Sequence, residues 1–139
     1  MADLPETTSW TYESVRIDPV GIHPLEGGLP SIRWAEVRRV ALGFEIHPFV
    51  TADFYFWAFQ LGDPHTMVRV VTTREDELSA EVRRRYGAPD IPPIRKWPDV
   101  GRDVVTWVIW PAGDLGKSLY TRRKKHWWSW SSKTYHALP

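Results

Sequence analysis

The sequence predicts an α+β domain: a mainly antiparallel β-sandwich, or a partly open barrel, with one capping helix. In residues 31–40, the apolar side chains recur where a strand pair with one irregularity would bury them. Residues 54–61 are almost wholly aromatic and aliphatic, as expected of a central strand. In residues 75–86, the period changes to one apolar residue in four, which predicts a helix.

The strands follow from alternation and from turn residues. Residues 18–21 (Asp-Pro-Val-Gly) and 62–65 (Gly-Asp-Pro-His) have the composition of tight turns, so each is expected to join two antiparallel strands. The alternation breaks at Ala35-Glu36, which predicts a bulge or a tight bend. Besides 54–61, the predicted strands are residues 10–17, 22–25, 31–46 with that break, 66–72 and 104–110.

One helix is predicted between the hairpin of residues 54–72 and a proline-rich stretch. Thr73 is the expected N-cap and Asp76 the third helical residue of a capping-box-like start, and Gly87 and Pro89 end the helix. Its single apolar stripe packs against the sheet or across the mouth of a barrel. The residues predicted to be buried are Ile32, Trp34, Val37, Val40, Phe56, Ala58, Val68, Val70, Leu78 and Val82.

Length and composition limit the class of protein. A chain of 139 residues is the size of one domain, and residues 1–139 are interpreted as one. The chain has no cysteine, which excludes disulfides and thiolate metal sites, and its net charge of +1 gives no overall preference for nucleic acid or membranes. The N-terminus is acidic without an apolar run, and no stretch approaches the about 20 apolar residues of a membrane span. We therefore expect a soluble, cytoplasmic protein.

The order of elements resembles small bacterial domains with a pleckstrin-homology-like fold and uncharacterised function. The residues that carry the resemblance are Gly21-Ile22, Ile32-x-Trp34-x-x-Val37-x-x-Val40 and the helix of residues 75–86. It covers roughly residues 10–87, while residues 88–139 hold an extended connection, a late strand and a basic-aromatic tail. The resemblance implies a sandwich or partly open barrel closed at one end by a helix, with relatives that bind lipids or peptides or act as immunity-type proteins.

Phosphoinositide binding is disfavoured. Lipid-binding proteins of this general type carry clustered lysines and arginines in the first hairpin loop. Here that loop is residues 18–21, which is acidic and contains no lysine.

The sequence contains no complete motif for catalysis or for binding a cofactor. Gly116-Lys117-Ser118 resembles the end of a phosphate-binding loop, but the first glycine of that motif is replaced by Pro111, which lacks an N–H group. We interpret this stretch as a turn after the late strand. No serine lies in a nucleophile elbow, and most Asp residues neighbour Pro or Gly, where Asp serves turns.

The histidines carry only a weak hint of a metal site. Glu45 and His47 would share one strand face, but none of the five histidines pairs with another histidine or a carboxylate at i,i+4 spacing. The sequence therefore predicts no catalytic residue, no cofactor and no metal. An enzyme whose site is assembled from dispersed Asp, Glu and His residues remains the alternative.

The basic-aromatic tail is the strongest candidate for a functional site. Its predicted partner-binding residues are Arg122, Arg123, Lys124, Lys125, Trp127, Trp128 and Trp130. Such a cluster packs on the domain or a partner subunit, meets phosphates and stacks on bases, or lies at a membrane surface. The sequence favours a non-enzymatic, cytoplasmic protein-interaction module, immunity-like in type, with a protein partner or a homo-oligomer. Nucleic-acid binding by the tail is the second interpretation.

The tail is also expected to be ordered. We predict that residues 119–135 are ordered and that Trp127 or Trp128 packs on the folded body or on a neighbouring subunit. Residues 119–121 and 132–135 have the β-propensity to pair with an edge strand.

Overall fold

The computed structural model describes residues 8–45, 54–63, 65–98, 104–124 and 133–139. These residues form a mainly β α+β fold, as predicted. The elements are β1 (Thr8–Tyr12), β2 (Val15–Ile17), β3 (Gly21–Pro24), β4 (Ile32–Arg33), β5 (Val37–Glu45), β6 (Phe54–Leu61), β7 (Thr66–Thr72), α1 (Glu77–Tyr86), β8 (Val104–Trp110), β9 (Tyr120–Lys124) and β10 (Lys133–Ala137).

The central layer is a five-stranded sheet in the order β1-β7-β6-β5-β8. The predicted hairpin of β6 and β7 is confirmed, and β5 and β8 also run antiparallel to their neighbours. The expectation of antiparallel pairing is wrong for β1, which lies parallel to β7 with Trp10 opposite Val68. This pairing joins residues far apart in sequence, so no local turn signal announces it.

The predicted break at Ala35-Glu36 is confirmed as a 3-10 turn over Trp34–Glu36. The pairing of β5 with β6 then shifts register between Val37 and Arg39, because one strand carries an extra residue there. The turn separates β4 from β5, so that the two strands belong to different sheets.

One face of the central sheet is covered by a three-stranded sheet, β2-β3-β4, and by α1. The strand predicted over residues 10–17 is therefore two strands in two sheets, with a bend at residues 13–14. Ile22 and Ile32 of the small sheet share a buried cluster with Trp57 and Phe59 of β6 and Val82 of α1. All ten residues predicted to be buried are buried. The sheets of the described residues do not close into a barrel.

The N-cap of the helix lies three residues later than predicted. Asp76, not Thr73, is the N-cap: its Oδ1 accepts from the backbone N–H of Ser79 at 2.8 Å, and its Oδ2 accepts from the Thr72 hydroxyl at 2.8 Å. Arg74 precedes the helix at φ 72°, in the left-handed region, so the backbone there is not helical. The helix ends at Tyr86, before Gly87, as predicted.

The opposite face of the central sheet has its own buried cluster. Phe56, Ala58 and Met67 meet Leu119 and Tyr120, which precede and begin β9. Both faces of the sheet are therefore covered, and the second face holds Leu119 and the first residue of β9.

Candidate functional site

The predicted binding residues fall on and beside a two-stranded hairpin. We call β9 and β10 the basic hairpin; they pair antiparallel, with Arg122 opposite Tyr135 and Lys124 opposite Lys133. Arg122, Arg123 and Lys124 lie on β9. The other predicted site residues lie outside the described residues: Lys125, Trp127, Trp128 and Trp130.

The prediction that residues of the tail pair as strands is confirmed, but the partner is different. The two halves pair with each other in a sheet of their own, and not with an edge strand of the central sheet. The expected packing of Trp127 or Trp128 lies outside the described residues.

The basic hairpin is anchored on the second face of the central sheet. Leu119 and Tyr120 are both buried at its base. The Arg69 guanidinium lies 5.0 Å from the ring centroid of Phe56 and 5.3 Å from that of Tyr120, and its Nε donates to the Tyr120 hydroxyl at 3.2 Å. A partly buried cation packed on both rings holds the first residue of β9 against the sheet.

A polar network anchors the other end. Arg39 Nη1 donates to Gln60 Oε1 at 2.9 Å and to the Leu138 carbonyl at 3.1 Å, and its Nε donates to Asp114 Oδ2 at 2.9 Å. The Leu138 N–H donates to the Leu119 carbonyl at 2.8 Å. The residue after β10 is therefore bound to the residue before β9 and to two strands of the sheet.

Lys117, the lysine of the phosphate-loop resemblance, is part of the same region. Its Nζ lies 2.9 Å from Asp114 Oδ1, and residues 112–114 form a 3-10 turn, as expected for a turn after the late strand. Lys117 and then Arg39 lower the pKa of Asp114 by donating to its carboxylate.

Charge is divided sharply along the chain, a signal that the net charge of +1 conceals. Of the 18 Lys and Arg residues, 6 lie after Asp114, whereas none of the 17 Asp and Glu residues does. We call residues 115–139 the C-terminal segment; its formal charge is +6, and that of residues 1–114 is −5. Counting charges separately for the two parts of the chain would have found this from the sequence.

A second polar cluster, which the sequence reasoning missed, lies on the three-stranded sheet. His23 Nδ1 lies 2.8 Å from Ser31 Oγ, and His23 Nε2 lies 2.9 Å from Asp18 Oδ2. Strand pairing brings these residues together. His23 in β3 lies opposite Arg16 in β2, two residues before Asp18, and Ser31 directly precedes β4, which pairs with β3 on its other side. The residue types are those of a nucleophile, a base and an orienting carboxylate.

The geometry of this cluster fits a structural role better than catalysis. The Asp18 carboxylate also accepts from the N–H groups of Val20 and Gly21 and from Arg16, so it organises the β2–β3 turn. The pKa of Asp18 is held well below its usual range, first by the contact with His23 and then by these N–H donors. The groove beside Asp18 is lined by α1 and not by Ser31.

Two further classes of site are absent from the described part of the chain. Within these residues, no group of three or more His, Asp or Glu side chains is placed to hold a metal ion. No helix among them is long and apolar enough to cross a membrane.

Comparison with known proteins gives no family. No protein-family model matches the chain, and neither a curated protein nor a solved structure is similar to it.

Proposed function

We propose that the chain is a non-enzymatic protein-interaction module whose contact surface is the C-terminal segment. Its partner is a protein with an acidic surface, or a second copy of the chain. The observation that carries the proposal is the division of charge, +6 in residues 115–139 against −5 in the remainder. Complementary potentials of this size steer association and select partners.

The anchoring of the basic hairpin supports this use. Leu119 and Tyr120 are buried at its base, and Arg39 binds the Leu138 carbonyl beyond its second strand. A hairpin held at both ends presents its cations with less loss of conformational entropy on binding than a free tail does.

Single-stranded nucleic acid is the second candidate, because the C-terminal segment joins six cations, no carboxylate and three tryptophans. Cations with stacking aromatics are the usual means of binding single strands. The charge of the rest of the chain argues against it. A long polyanion that extends beyond the hairpin would meet the net −5 of residues 1–114, whereas an acidic patch on a protein has a limited footprint.

We also propose that the domain is pleckstrin-homology-like. An α+β fold with one described helix packed on a mainly antiparallel sheet supports it, and so does the order of the strands and helix along the chain. A bacterial, cytoplasmic, immunity-type binding protein is what this part of the proposal implies.

The experiment compares two double variants that remove the same charge. Arg122→Ala with Arg123→Ala removes two cations from β9, and Arg33→Ala with Arg38→Ala removes two exposed cations from the rest of the chain. Each protein and the wild type are used to capture partners from a lysate of the native host, with and without nuclease treatment. Light scattering at low and high salt measures self-association in parallel.

The proposal expects the β9 double variant to lose most of the captured protein, or of the salt-sensitive dimer, while the control pair retains it. Equal capture by both variants would contradict the proposal. Capture that disappears on nuclease treatment, together with an oligonucleotide gel shift lost only in the β9 variant, would establish the nucleic-acid alternative.

A further inference from the structure

Strand β9 of the basic hairpin has one edge without a partner strand. The hairpin is a sheet of two strands, so β9 pairs with β10 on one side, and no third strand among the described residues lies along its other side. The edge of a sheet presents a row of N–H and C=O groups that can pair with another chain. The edge of β9 is therefore a surface on which an extended segment fits.

A hydrogen bond at the base of the hairpin fixes which backbone groups face this edge. The Leu138 N–H donates to the Leu119 carbonyl at 2.8 Å, and these residues are opposite each other one position beyond the paired strands. In an antiparallel pair, residues that exchange hydrogen bonds alternate with residues whose N–H and C=O groups point away from the partner strand. The outward positions of β9 are therefore Tyr120, Arg122 and Lys124.

The contacts of Tyr120 agree with this assignment. Its N–H donates to Ser118 Oγ at 3.3 Å, and the Ser118 hydroxyl donates to the Tyr120 carbonyl at 2.7 Å. One hydroxyl thus satisfies both outward groups at the first position of the strand. Within the described part of the chain, no group is hydrogen bonded to the outward N–H or C=O of Arg122 or of Lys124. The open part of the edge is residues 122–124.

This open edge is basic at every position. Arg122, Arg123 and Lys124 follow one another, Lys133 of β10 lies opposite Lys124, and no Asp or Glu follows Asp114 in the sequence. Like charges at opposed positions destabilise a sheet, and a neighbouring strand with carboxylates would offset this repulsion. The same strand of a second copy would add three more cations, so a second copy is a poor occupant of this edge.

We propose that the partner docks as an extended acidic segment, which adds a third strand to the basic hairpin beside β9. The inference rests on the proposed function and specifies how its contact surface binds. The outward backbone groups of Arg122 and Lys124 hold the main chain of the segment, and its consecutive Asp or Glu residues match three consecutive cations. In this mode of binding, main-chain hydrogen bonds provide affinity and side-chain charge selects the partner.

An acetylated and amidated peptide, Thr-Val-Glu-Glu-Glu-Val-Thr, is the probe. Its binding to the full chain at low salt is followed by ¹H–¹⁵N spectra, with an expected Kd of about 100 μM. At saturation, hydrogen exchange of the Arg122 and Lys124 amides should slow by about tenfold, because both become hydrogen bonded. The Arg123 amide already faces β10 and should change less.

A second peptide separates strand pairing from charge attraction. It has the same sequence with N-methyl groups on two consecutive glutamates, so it keeps its charge but cannot pair fully through either edge. We expect it to bind about tenfold more weakly than the unmodified peptide. Both peptides are tested on the unaltered protein, so this comparison does not depend on the folding of any variant.

Arg122→Pro and Arg122→Ala form a matched pair of variants. Both remove the same cation, but only proline also removes the outward N–H, and proline is tolerated on an edge strand where that N–H lies outside the ladder. The proline variant should bind the unmodified peptide about tenfold more weakly than the alanine variant does.

Three results would overturn the inference. One is the absence of peptide binding at about ten times the expected Kd. Another is equal binding of the two peptides, and the third is unchanged exchange of the Arg122 and Lys124 amides in the complex. If the double variant Arg122→Ala with Arg123→Ala still lost its captured protein, these results would reject the added strand and leave the proposed function standing.

Discussion

Arg39 and Gln60 share one acceptor, the backbone carbonyl oxygen of Leu138. Arg39 Nη1 reaches it at 3.1 Å and Gln60 Nε2 at 2.5 Å, and Arg39 also donates to Gln60 Oε1. Both side chains are almost fully buried in adjacent strands of the central sheet. The two residues therefore bind the central sheet to the end of the basic hairpin, so this network anchors the proposed contact surface.

Arg39→Ala should weaken this anchor. Gln60 Oε1 and the Leu138 carbonyl each lose a donor, so the free energy of unfolding should fall by about 1–3 kcal/mol. Hydrogen exchange gives a local readout: the Leu138 amide, which donates to the Leu119 carbonyl, should exchange faster. Arg38→Ala, at the exposed neighbouring position, should change stability by no more than about 0.5 kcal/mol. Equal losses in the two variants would show that the network does not hold the hairpin.

At two positions neighbouring atoms lie so close to the backbone that only glycine fits, and a third glycine with open space beside it serves as the control. An added Cβ would lie 1.8 Å from the Ile32 carbonyl oxygen at Gly21 and 2.1 Å from the Phe56 ring at Gly43, but would meet nothing within 4 Å at Gly27. The backbone carbonyl of Ile32 cannot move aside, whereas the side-chain ring of Phe56 can shift to some extent. Urea unfolding should show losses of about 3 kcal/mol for Gly21→Ala, about 1–3 kcal/mol for Gly43→Ala, and under about 0.5 kcal/mol for Gly27→Ala. A neutral Gly21→Ala would refute the close pairing of β3 and β4.

Asp18 should make stability depend on pH in acid. Its pKa in the folded chain is lowered by His23 and then by the N–H donors and Arg16, so the unfolded chain takes up its proton first. The stabilisation is complete above the ordinary carboxyl pKa of 3.8 and is lost progressively as the pH falls through and below it. Asp18→Asn should therefore be less stable than the wild type at neutral pH, and the difference should shrink in acid.

Urea unfolding of both proteins across that range measures this difference. The amide side chain of the Asp18→Asn variant retains an oxygen for the N–H groups of Val20 and Gly21, so the comparison removes only the charge and the Oδ2 contacts with Arg16 and His23. A difference that stays constant from neutral pH to about pH 2 would show that the carboxylate is not held in its anionic form.

The N-cap of α1 can be assigned by a pair of substitutions. Asp76→Ala removes the acceptor for the Ser79 N–H and the Thr72 hydroxyl and should cost about 1–2 kcal/mol in free energy of unfolding. Thr73→Ala, at an exposed position, should change it by less than about 0.5 kcal/mol. The opposite ranking would restore the helix start that the capping-box pattern predicts.

Local patterns predicted the elements well, because strand alternation and turn chemistry are encoded by neighbouring residues. The interruption at Ala35-Glu36, the β6–β7 hairpin and the buried stripe of α1 are all of this kind. The parallel pairing of β1 with β7 and the division of residues 10–17 between two sheets are not, since their partners lie elsewhere in the chain.

The candidate site shows the same division. The basic residues on β9 and the β-propensity around them could be predicted, but the anchor could not. Arg39 and Asp114 are 75 residues apart, and Arg69 and Tyr120 are 51 apart. Arg74 was predicted to lie within the first turn of the helix, whereas its backbone is left-handed and it precedes the N-cap.

Site-specific photo-crosslinking in living host cells tests the central claim most directly. A photoreactive phenylalanine analogue is placed at Arg123 in β9 and, as the control, at Arg38. The account predicts a protein adduct of defined mass from position 123, nuclease-resistant and absent from position 38. Equal adducts at the two positions, or an adduct at position 123 that nuclease removes, would contradict it.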